Sequence, residues 1–127
     1  MRHVLVAVVV VVLAAGPAVA KGAMEISAAA HTVRSGQVVR VSGAGDDDAA
    51  HYLQACVEER DGGQETWRLV SCGSPASSGA GARVDTRIMP QRRGTMQFRG
   101  VLYKMDSPDD RHPSLLRTSP VTTVRVR

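Results

Sequence analysis

The sequence predicts an all-β fold in which two antiparallel sheets pack face to face as a sandwich. After position 20, short runs of alternating apolar and polar residues recur along the chain, with Gly, Pro, Ser and Asp between them. A run about every 8 to 12 residues is the spacing typical of a sandwich. No segment of this region has the periodicity of an amphipathic helix. We therefore expect seven or eight strands around one small core.

The first 20 residues have the pattern of a secretory signal peptide. Arg2 and His3 precede an apolar run, residues 4–15, and after a Gly-Pro break come the small residues Ala18-Val19-Ala20. Signal peptidase cleaves this arrangement, and the apolar run is shorter than the roughly 20 residues that a spanning helix needs. We expect cleavage after Ala20, so that residues 21–127 form one secreted, extracellular domain that does not remain at the membrane.

The composition narrows the class of partner. The chain has 16 Lys and Arg against 12 Asp and Glu, and only 3% of its residues are aromatic. Proteins that bind nucleic acids concentrate basic residues in a stripe with stacking aromatics, whereas here acidic residues lie among the basic ones. We expect no nucleic-acid partner. The expected partner is a protein or another component of the cell surface, or else a small molecule, and the domain is expected to be a monomer.

Eight runs are predicted to be strands because their apolar residues alternate with polar ones. They comprise residues 24–28, 31–34, 37–42, 51–60, 65–72, 83–88, 95–104 and 119–127. In the fourth run, Leu53, Ala55 and Val57 share one face and are expected to point into the core. Gly100 leaves a gap in the core or marks a bulge. Residues 73–82 predict a flexible link, and residues 106–117 predict a long polar loop.

Cys56 and Cys72 are the two cysteines of the chain. An even number in a secreted domain predicts a disulfide, and two cysteines allow one connectivity within the chain. They lie on the two strands of a predicted hairpin. A register with Arg60 opposite Glu65 would place Cys56 across from Leu69, so the bridge requires a bulge or a wider turn.

The sequence has no motif for catalysis, and we expect no enzyme, no cofactor and no metal site. No G-x-S-x-G or H-E-x-x-H pattern is present to hold a nucleophile or zinc. Asp46-Asp47-Asp48 lacks the spacing of a calcium-binding loop, and we interpret it as a solvated acidic loop. The histidines are scattered, without a second ligand at metal-binding spacing.

Several arginines are predicted to be exposed: Arg92 and Arg93 in a loop and, on the outer face that also carries Tyr103, Arg99, Arg125 and Arg127. Guanidinium groups of this kind can bind carboxylates or phosphates, but the simpler interpretation is solubility and protection of a sheet edge. The loop 106–117 could also present Arg111 or Arg117 to a trypsin-like protease, as an inhibitor does.

Three segments resemble the immunoglobulin-like domains of exported bacterial proteins. They are residues 32–43 (TVRSGQVVRVSG), residues 66–70 around Trp67, and residues 94–126, which include GTMQFRGVLY and TSPVTTVRV. The resemblance implies an immunoglobulin-like antiparallel sandwich with a binding or structural role outside the cell. Met96 and Phe98 stand where such domains usually have a tyrosine, so the hydrogen bond of a tyrosine corner is not expected.

A narrower resemblance is to the neocarzinostatin-type apoproteins, small secreted sandwiches that hold an enediyne chromophore. Residues 36–45 (GQVVRVSGAG), a strand that reaches one cysteine and a hairpin that returns to another are similar to that family. The resemblance implies that Cys56 and Cys72 form the family's first disulfide, while its second has no counterpart. It also implies a small-molecule carrier, with the bridge at the floor of a cleft whose wall is formed by outer-face residues, Tyr52, Gln54, Arg99 and Tyr103.

Overall fold

Ten strands form two sheets in the computed structural model, which describes residues 22–127. The strands are β1 (Ala23–Ala28), β2 (Thr32–Val33), β3 (Val39–Asp46), β4 (Tyr52–Asp61), β5 (Arg68–Cys72), β6 (Ala76–Ser77), β7 (Ala82–Ile88), β8 (Gly94–Met105), β9 (Ser114–Thr118) and β10 (Thr122–Val126). No helix occurs in this part of the chain, and so none there could cross a membrane. The predicted signal peptide, residues 1–20, lies outside the described residues.

The two sheets pack as the predicted all-β sandwich. The small sheet has the order β1-β3-β7, and the large sheet has the order β2-β10-β8-β4-β5, with β6 also paired to β4 and β9 to β8. Neighbouring strands are antiparallel except β2 and β10, which are parallel. β2 differs because the chain leaves the small sheet after β1 and crosses to the large sheet, where two residues run beside the last strand.

The core lies between the sheets and is mostly aliphatic. Leu53, Ala55 and Val57 on β4 are fully buried, which confirms the alternation predicted for that strand. Phe98 on β8 is the largest fully buried side chain. The other side chains that are less than 2% exposed on the core-facing sides of the strands are Val39, Val41, Ala82, Leu102 and Val124.

Met24 fills a space that three glycines leave open. A Cβ atom on Gly100 would lie 2.5 Å from Met24 Cε, one on Gly45 would lie 2.7 Å from Met24 Sδ, and one on Gly43 would lie 2.9 Å from Cε. Gly43 and Gly45 are on β3, next to β1, while Gly100 is on β8 of the facing sheet. Gly100 therefore leaves a gap in the core, which is one of the two alternatives that the sequence left open, and a flexible thioether occupies it.

Two predicted connections contain strands that the sequence pattern did not indicate. β6 lies within the link 73–82, and β9 lies within the loop 106–117. The link is held by its backbone: the Ser78 N–H donates to the His51 carbonyl oxygen (2.9 Å), and the Gly79 N–H donates to the Asp46 carboxylate (3.0 Å). Small polar side chains give no periodic signal, so this ordering could not be read from them.

Candidate binding face

The Cys56–Cys72 disulfide joins β4 to β5, as predicted. The two cysteines are direct partners in the strand register, with 4.0 Å between their Cα atoms. Two features bring them opposite each other. The turn is wide, so that Glu59 pairs with Arg68, and a bulge after Val57 then adds one residue on β5. The sequence predicted that the bridge needs either a wider turn or a bulge, and the structure has both.

The outer face of the large sheet carries every aromatic residue except Phe98. The chain has one Trp, two Tyr and one Phe, and Phe98 is in the core. Tyr52 on β4 and Tyr103 on β8 alternate with buried leucines and therefore point outward. The Trp67 ring lies against outer-face side chains of the same strands. We call the surface that contains these three rings the aromatic face.

Two arginines hold Trp67 in place. The Cζ atoms of Arg60 and Arg99 each lie 4.4 Å from the centroid of the indole ring. Arg99 Nε donates a hydrogen bond to Glu58 Oε1 (2.8 Å), and Arg60 Nε donates one to Gln97 Oε1 (2.7 Å). A cation–π contact at an exposed site is worth about 0.5–1 kcal/mol. Because partners on β4 and β8 fix both guanidinium groups, the indole has a fixed position at this end of the face.

The four residues predicted to face a ligand lie in two groups on the aromatic face. Gln54 is the register partner of Tyr103, and Tyr52 lies on the same side of β4 as Gln54. Arg99 is about 13 Å from Tyr103 along β8. The Gln54 amide is engaged within the protein, because its Nε2 donates to the Gly73 carbonyl oxygen (3.0 Å). Arg99 is likewise bound to Glu58, so these two side chains brace the face.

Between the two groups the aromatic face has a covered, apolar centre. Cys56 and Val101 are register partners, and each is only 1% exposed although both alternate to the outer side. Side chains of the same face must therefore cover them. Cys72, at the edge of the sheet, is exposed.

Each group of outer-face residues has an exposed leucine beside it. Leu69 on β5 pairs with Glu58 and is 62% exposed, and Leu115 on β9 pairs with Tyr103 and is 60% exposed. Exposed leucines next to Tyr and Trp rings, with charged groups among them, form the kind of surface that protein interfaces use.

Asp46 and Asp47 do not form the solvated loop that the sequence suggested. They are only 5% and 6% exposed. Asp46 Oδ1 accepts from the Gly79 N–H (3.0 Å), Asp47 Oδ1 accepts from the Ala49 N–H (2.8 Å), and Asp47 Oδ2 accepts from Arg117 Nε. The hydrogen bond from Arg117, and after it the one from Ala49, lowers the pKa of the Asp47 carboxyl. These carboxylates therefore tie the β3–β4 connection to β9 and to the chain after β6.

The structure alters the inhibitor interpretation of the loop 106–117. Arg117 lies within β9 and its guanidinium group binds Asp47, so no loop tip presents it. Arg111 remains in the loop, where the Asp110 carboxylate accepts from the N–H groups of Asp106 (2.9 Å) and His112 (2.8 Å). These two bonds lower the pKa of Asp110.

Residues 22–127 contain no cluster of three or more His, Cys, Asp or Glu side chains that could hold a metal ion. His31, His51 and His112 lie apart from one another in the chain. The Nδ1 atom of His31 is 3.1 Å from the Thr123 carbonyl oxygen. His51 instead lines a small cavity of about 230 Å³ beside Lys104.

Three further cavities lie away from the aromatic face. One of about 460 Å³ is on the outer side of the small sheet around the Arg40–Asp85 ion pair, and an apolar one of about 540 Å³ lies beside Val38. The third, of about 550 Å³, is a groove between the β4–β5 turn and the β7–β8 connection. None of the four cavities is lined by the predicted ligand-facing residues, Tyr52, Gln54, Arg99 and Tyr103.

The part of the site that sequence reasoning missed is the position of Trp67. The sequence predicts a strand at this residue but no partner for its ring. Alternation does place Arg60 and Arg99 on the outer face, and that signal was available. The width of the turn and the bulge, which bring the indole onto these arginines, have no signature in the sequence.

Comparisons of the chain with protein-family models and with curated proteins found no match.

Proposed function

We propose that the chain is a secreted, non-catalytic domain of immunoglobulin-like type that binds a protein partner at the cell exterior through its aromatic face. The observation that carries the proposal is that Tyr52, Tyr103 and Trp67 all lie on one sheet face, together with the exposed Leu69 and Leu115. Tyr and Trp bury a large area at low conformational cost and dominate binding energy at interfaces.

The strand order supports the immunoglobulin-like part of the proposal. In seven-stranded domains of this type the first, second, fourth and fifth strands form one sheet, and the third, sixth and seventh form the other. β1, β3 and β7 correspond to the first, second and fifth strands, and β4, β8 and β10 to the third, sixth and seventh. β5 lies beside β4 in the large sheet, where variable-type domains have additional strands. The disulfide and the signal-like pattern of residues 1–20 support secretion, because disulfides persist in oxidising compartments.

The aromatic face is also braced in a way that suits binding. A disulfide joins β4 to β5, and the Gln54 amide ties β4 to the chain after Cys72. The Trp67 ring is fixed by two arginines. A surface that is ordered before it meets a partner loses less conformational entropy on binding.

Binding of the labelled domain, residues 21–127, to intact cells of its source organism tests the proposal. We expect saturable binding that falls tenfold or more in Leu69→Ser and in Tyr103→Ser, because both remove exposed apolar contact area. Val38→Ser is the matched control, since Val38 is 47% exposed and lines a cavity on the small sheet. Equal loss in all three variants, or no saturable binding, would contradict the proposal.

The small-molecule carrier is the alternative that the same protein can test. Native mass spectrometry of material purified from its own host would show a bound compound of constant mass if the domain is a carrier. The aromatic face has Cys56 and Val101 covered at its centre, and this favours a protein partner over a ligand seated on the bridge. Recovery of a stoichiometric ligand that Tyr103→Ser abolishes would replace our proposal with the carrier function.

A further inference from the structure

The two ends of the sandwich differ in charge. One end carries the β2–β3, β4–β5 and β7–β8 connections and the C-terminus. Five arginines at this end make no side-chain hydrogen bond or ion pair with any described residue, namely Arg34, Arg92, Arg93, Arg125 and Arg127. At the opposite end the carboxylates of Asp46, Asp47 and Asp110 accept hydrogen bonds within the protein. We call the end with the five unpaired arginines the basic end.

The groove between the β4–β5 turn and the β7–β8 connection opens at this basic end. It has a volume of about 550 Å³ and is lined by Arg92 and Arg93 on one side and by Gln64 on the other. Glu59 and Asp61 also line it, but Arg68 lies 3.4 Å from the Glu59 carboxylate and 4.0 Å from that of Asp61. Because Arg68 offsets part of this negative charge, Arg92 and Arg93 give the groove its excess of positive charge.

Hydrogen bonds brace both walls of the groove. The Gly62 N–H donates to the Thr95 carbonyl oxygen (2.7 Å), which ties the β4–β5 turn to the start of β8. In the other wall, the Gly36 N–H donates to the Pro90 carbonyl oxygen (2.7 Å) and Ser35 Oγ donates to the Gln91 carbonyl oxygen (2.7 Å). Arg92 and Arg93 directly follow this anchored pair. The groove is thus formed before any ligand binds, which reduces the entropy lost on binding.

We propose that this groove binds a phosphodiester polymer of the cell exterior whose phosphates are separated by hydroxylated units. The planar guanidinium groups of Arg92 and Arg93 can each donate two parallel hydrogen bonds to two oxygens of one phosphate. The Gln64 amide and the carboxylates of Glu59 and Asp61 supply the donors and acceptors that hydroxyl groups need. The site is separate from the aromatic face, and it stands whether or not that face binds a protein.

Two other polyanions fit the groove less well. Single-stranded nucleic acids are held by stacking of their bases on aromatic rings, and no aromatic side chain is among the residues that line this groove. An anionic membrane is bound by an apolar surface that enters the lipid together with basic groups around it. Met89 is the one lining residue that is a large exposed hydrophobic.

The test is binding of residues 21–127 to fluorescently labelled poly(glycerol phosphate), measured at several sodium chloride concentrations. We expect Arg92→Gln/Arg93→Gln to weaken binding tenfold or more, and to lower the slope of log affinity against log salt by about 1.4, or roughly 0.7 per phosphate contact. The matched control is Arg83→Gln/Arg111→Gln, which removes the same charge at the opposite end and should change affinity less than threefold. Equal weakening by the two double variants would overturn the proposal, because it would show diffuse attraction without a site.

Three further arms identify the ligand class. Gln64→Leu should weaken binding of poly(glycerol phosphate) and leave binding of inorganic polyphosphate, which has no hydroxylated units, unchanged. The wild-type domain is also tested against single-stranded DNA, poly-glutamate and vesicles of anionic phosphatidylglycerol. If it binds one of these as tightly as poly(glycerol phosphate), or more tightly, the proposal is overturned in favour of that ligand. Tyr103→Ser should bind the polymer like wild type, so that failure of the groove and failure of the aromatic face are distinguishable.

Discussion

Gly73 and Arg83 approach so closely that a Cβ atom on Gly73 would lie 1.7 Å from the Arg83 carbonyl oxygen. Gly73 directly follows the bridged Cys72, and its N–H donates to the Ala55 carbonyl oxygen (2.9 Å). Arg83 is on β7, an edge strand of the small sheet. The two sheets therefore meet backbone to backbone at this edge, and only glycine allows the contact.

Gly73→Ala is expected to destabilise the domain by about 3 kcal/mol, the upper part of the usual cost of overpacking, because backbone must move on both sides of the contact. Urea unfolding of the variant measures this loss. Ser74→Ala changes the next residue without filling the contact and should stay within about 0.5 kcal/mol of wild type. A Gly73→Ala variant as stable as wild type would contradict the close approach.

Loss of the disulfide is expected to lower the free energy of unfolding by about 3 kcal/mol. The bridge spans a sequence separation of 16, and a loop of this size restricts the unfolded chain by about that amount. Cys56→Ala/Cys72→Ala, which leaves no free thiol, measures the effect by urea unfolding. Reduced wild-type protein should show a similar loss. Two free thiols in protein purified from the culture medium would refute the bridge itself.

The Asp47–Arg117 ion pair should make stability depend on pH in the acidic range. Arg117 lowers the pKa of Asp47 below its ordinary value of 3.8, so the folded state favours the ionised carboxylate. Its contribution is complete above the unfolded pKa and is lost as the pH falls through the lower folded pKa. Arg117→Gln should therefore destabilise the domain at pH 7, and its deficit should shrink as the pH falls below about 3.8.

The Arg40–Asp85 pair supplies the control for this pH dependence. Arg40 lowers the pKa of Asp85 in the same direction, but the two side chains are 62% and 47% exposed. Exposed pairs contribute little because water screens them. In urea titrations at several pH values, Arg40→Gln should lose less stability at pH 7 than Arg117→Gln. A deficit for Arg117→Gln that is constant from pH 7 to pH 2 would contradict the role of Asp47.

Trp67 is the single tryptophan of the chain, so its fluorescence reports directly on the arginines around it. Arg99→Met should shift the emission, because it removes one guanidinium from the ring and leaves Glu58 without its partner. In a double-mutant cycle, Arg99→Met and Trp67→Leu should show a coupling energy of about 0.5–1 kcal/mol. Arg125→Met leaves both contacts in place and should leave the emission unchanged. A coupling energy of zero would show that the contact between Arg99 and Trp67 contributes nothing to stability.

The sequence predicted those features that depend on alternation within a strand. Leu53, Ala55 and Val57 are buried as expected, and the residues between them on β4 face outward. Both follow because successive side chains of a strand point to opposite faces of the sheet. The disulfide was also predictable, because two cysteines in one hairpin leave a single pairing.

Features that depend on pairing between distant segments could not be predicted. The burial of Asp46 results from the approach of Gly79, 33 residues away, and three adjacent acidic residues otherwise indicate a solvated loop. β6 has only two residues, and β9 is largely exposed, so neither gives a periodic signal. The position of Trp67 depends on a bulge, which the sequence does not mark.

The parallel pairing of β2 with β10 joins segments that lie far apart in the chain. Val33 pairs with Val126, so a strand from the beginning of the described chain needs one from its end. β10 also brings Val124 and Val126 into the core. Contacts between such distant segments form late, because closing a long loop costs entropy before any contact compensates it. We therefore expect β2 to pair only after β10 has joined the large sheet.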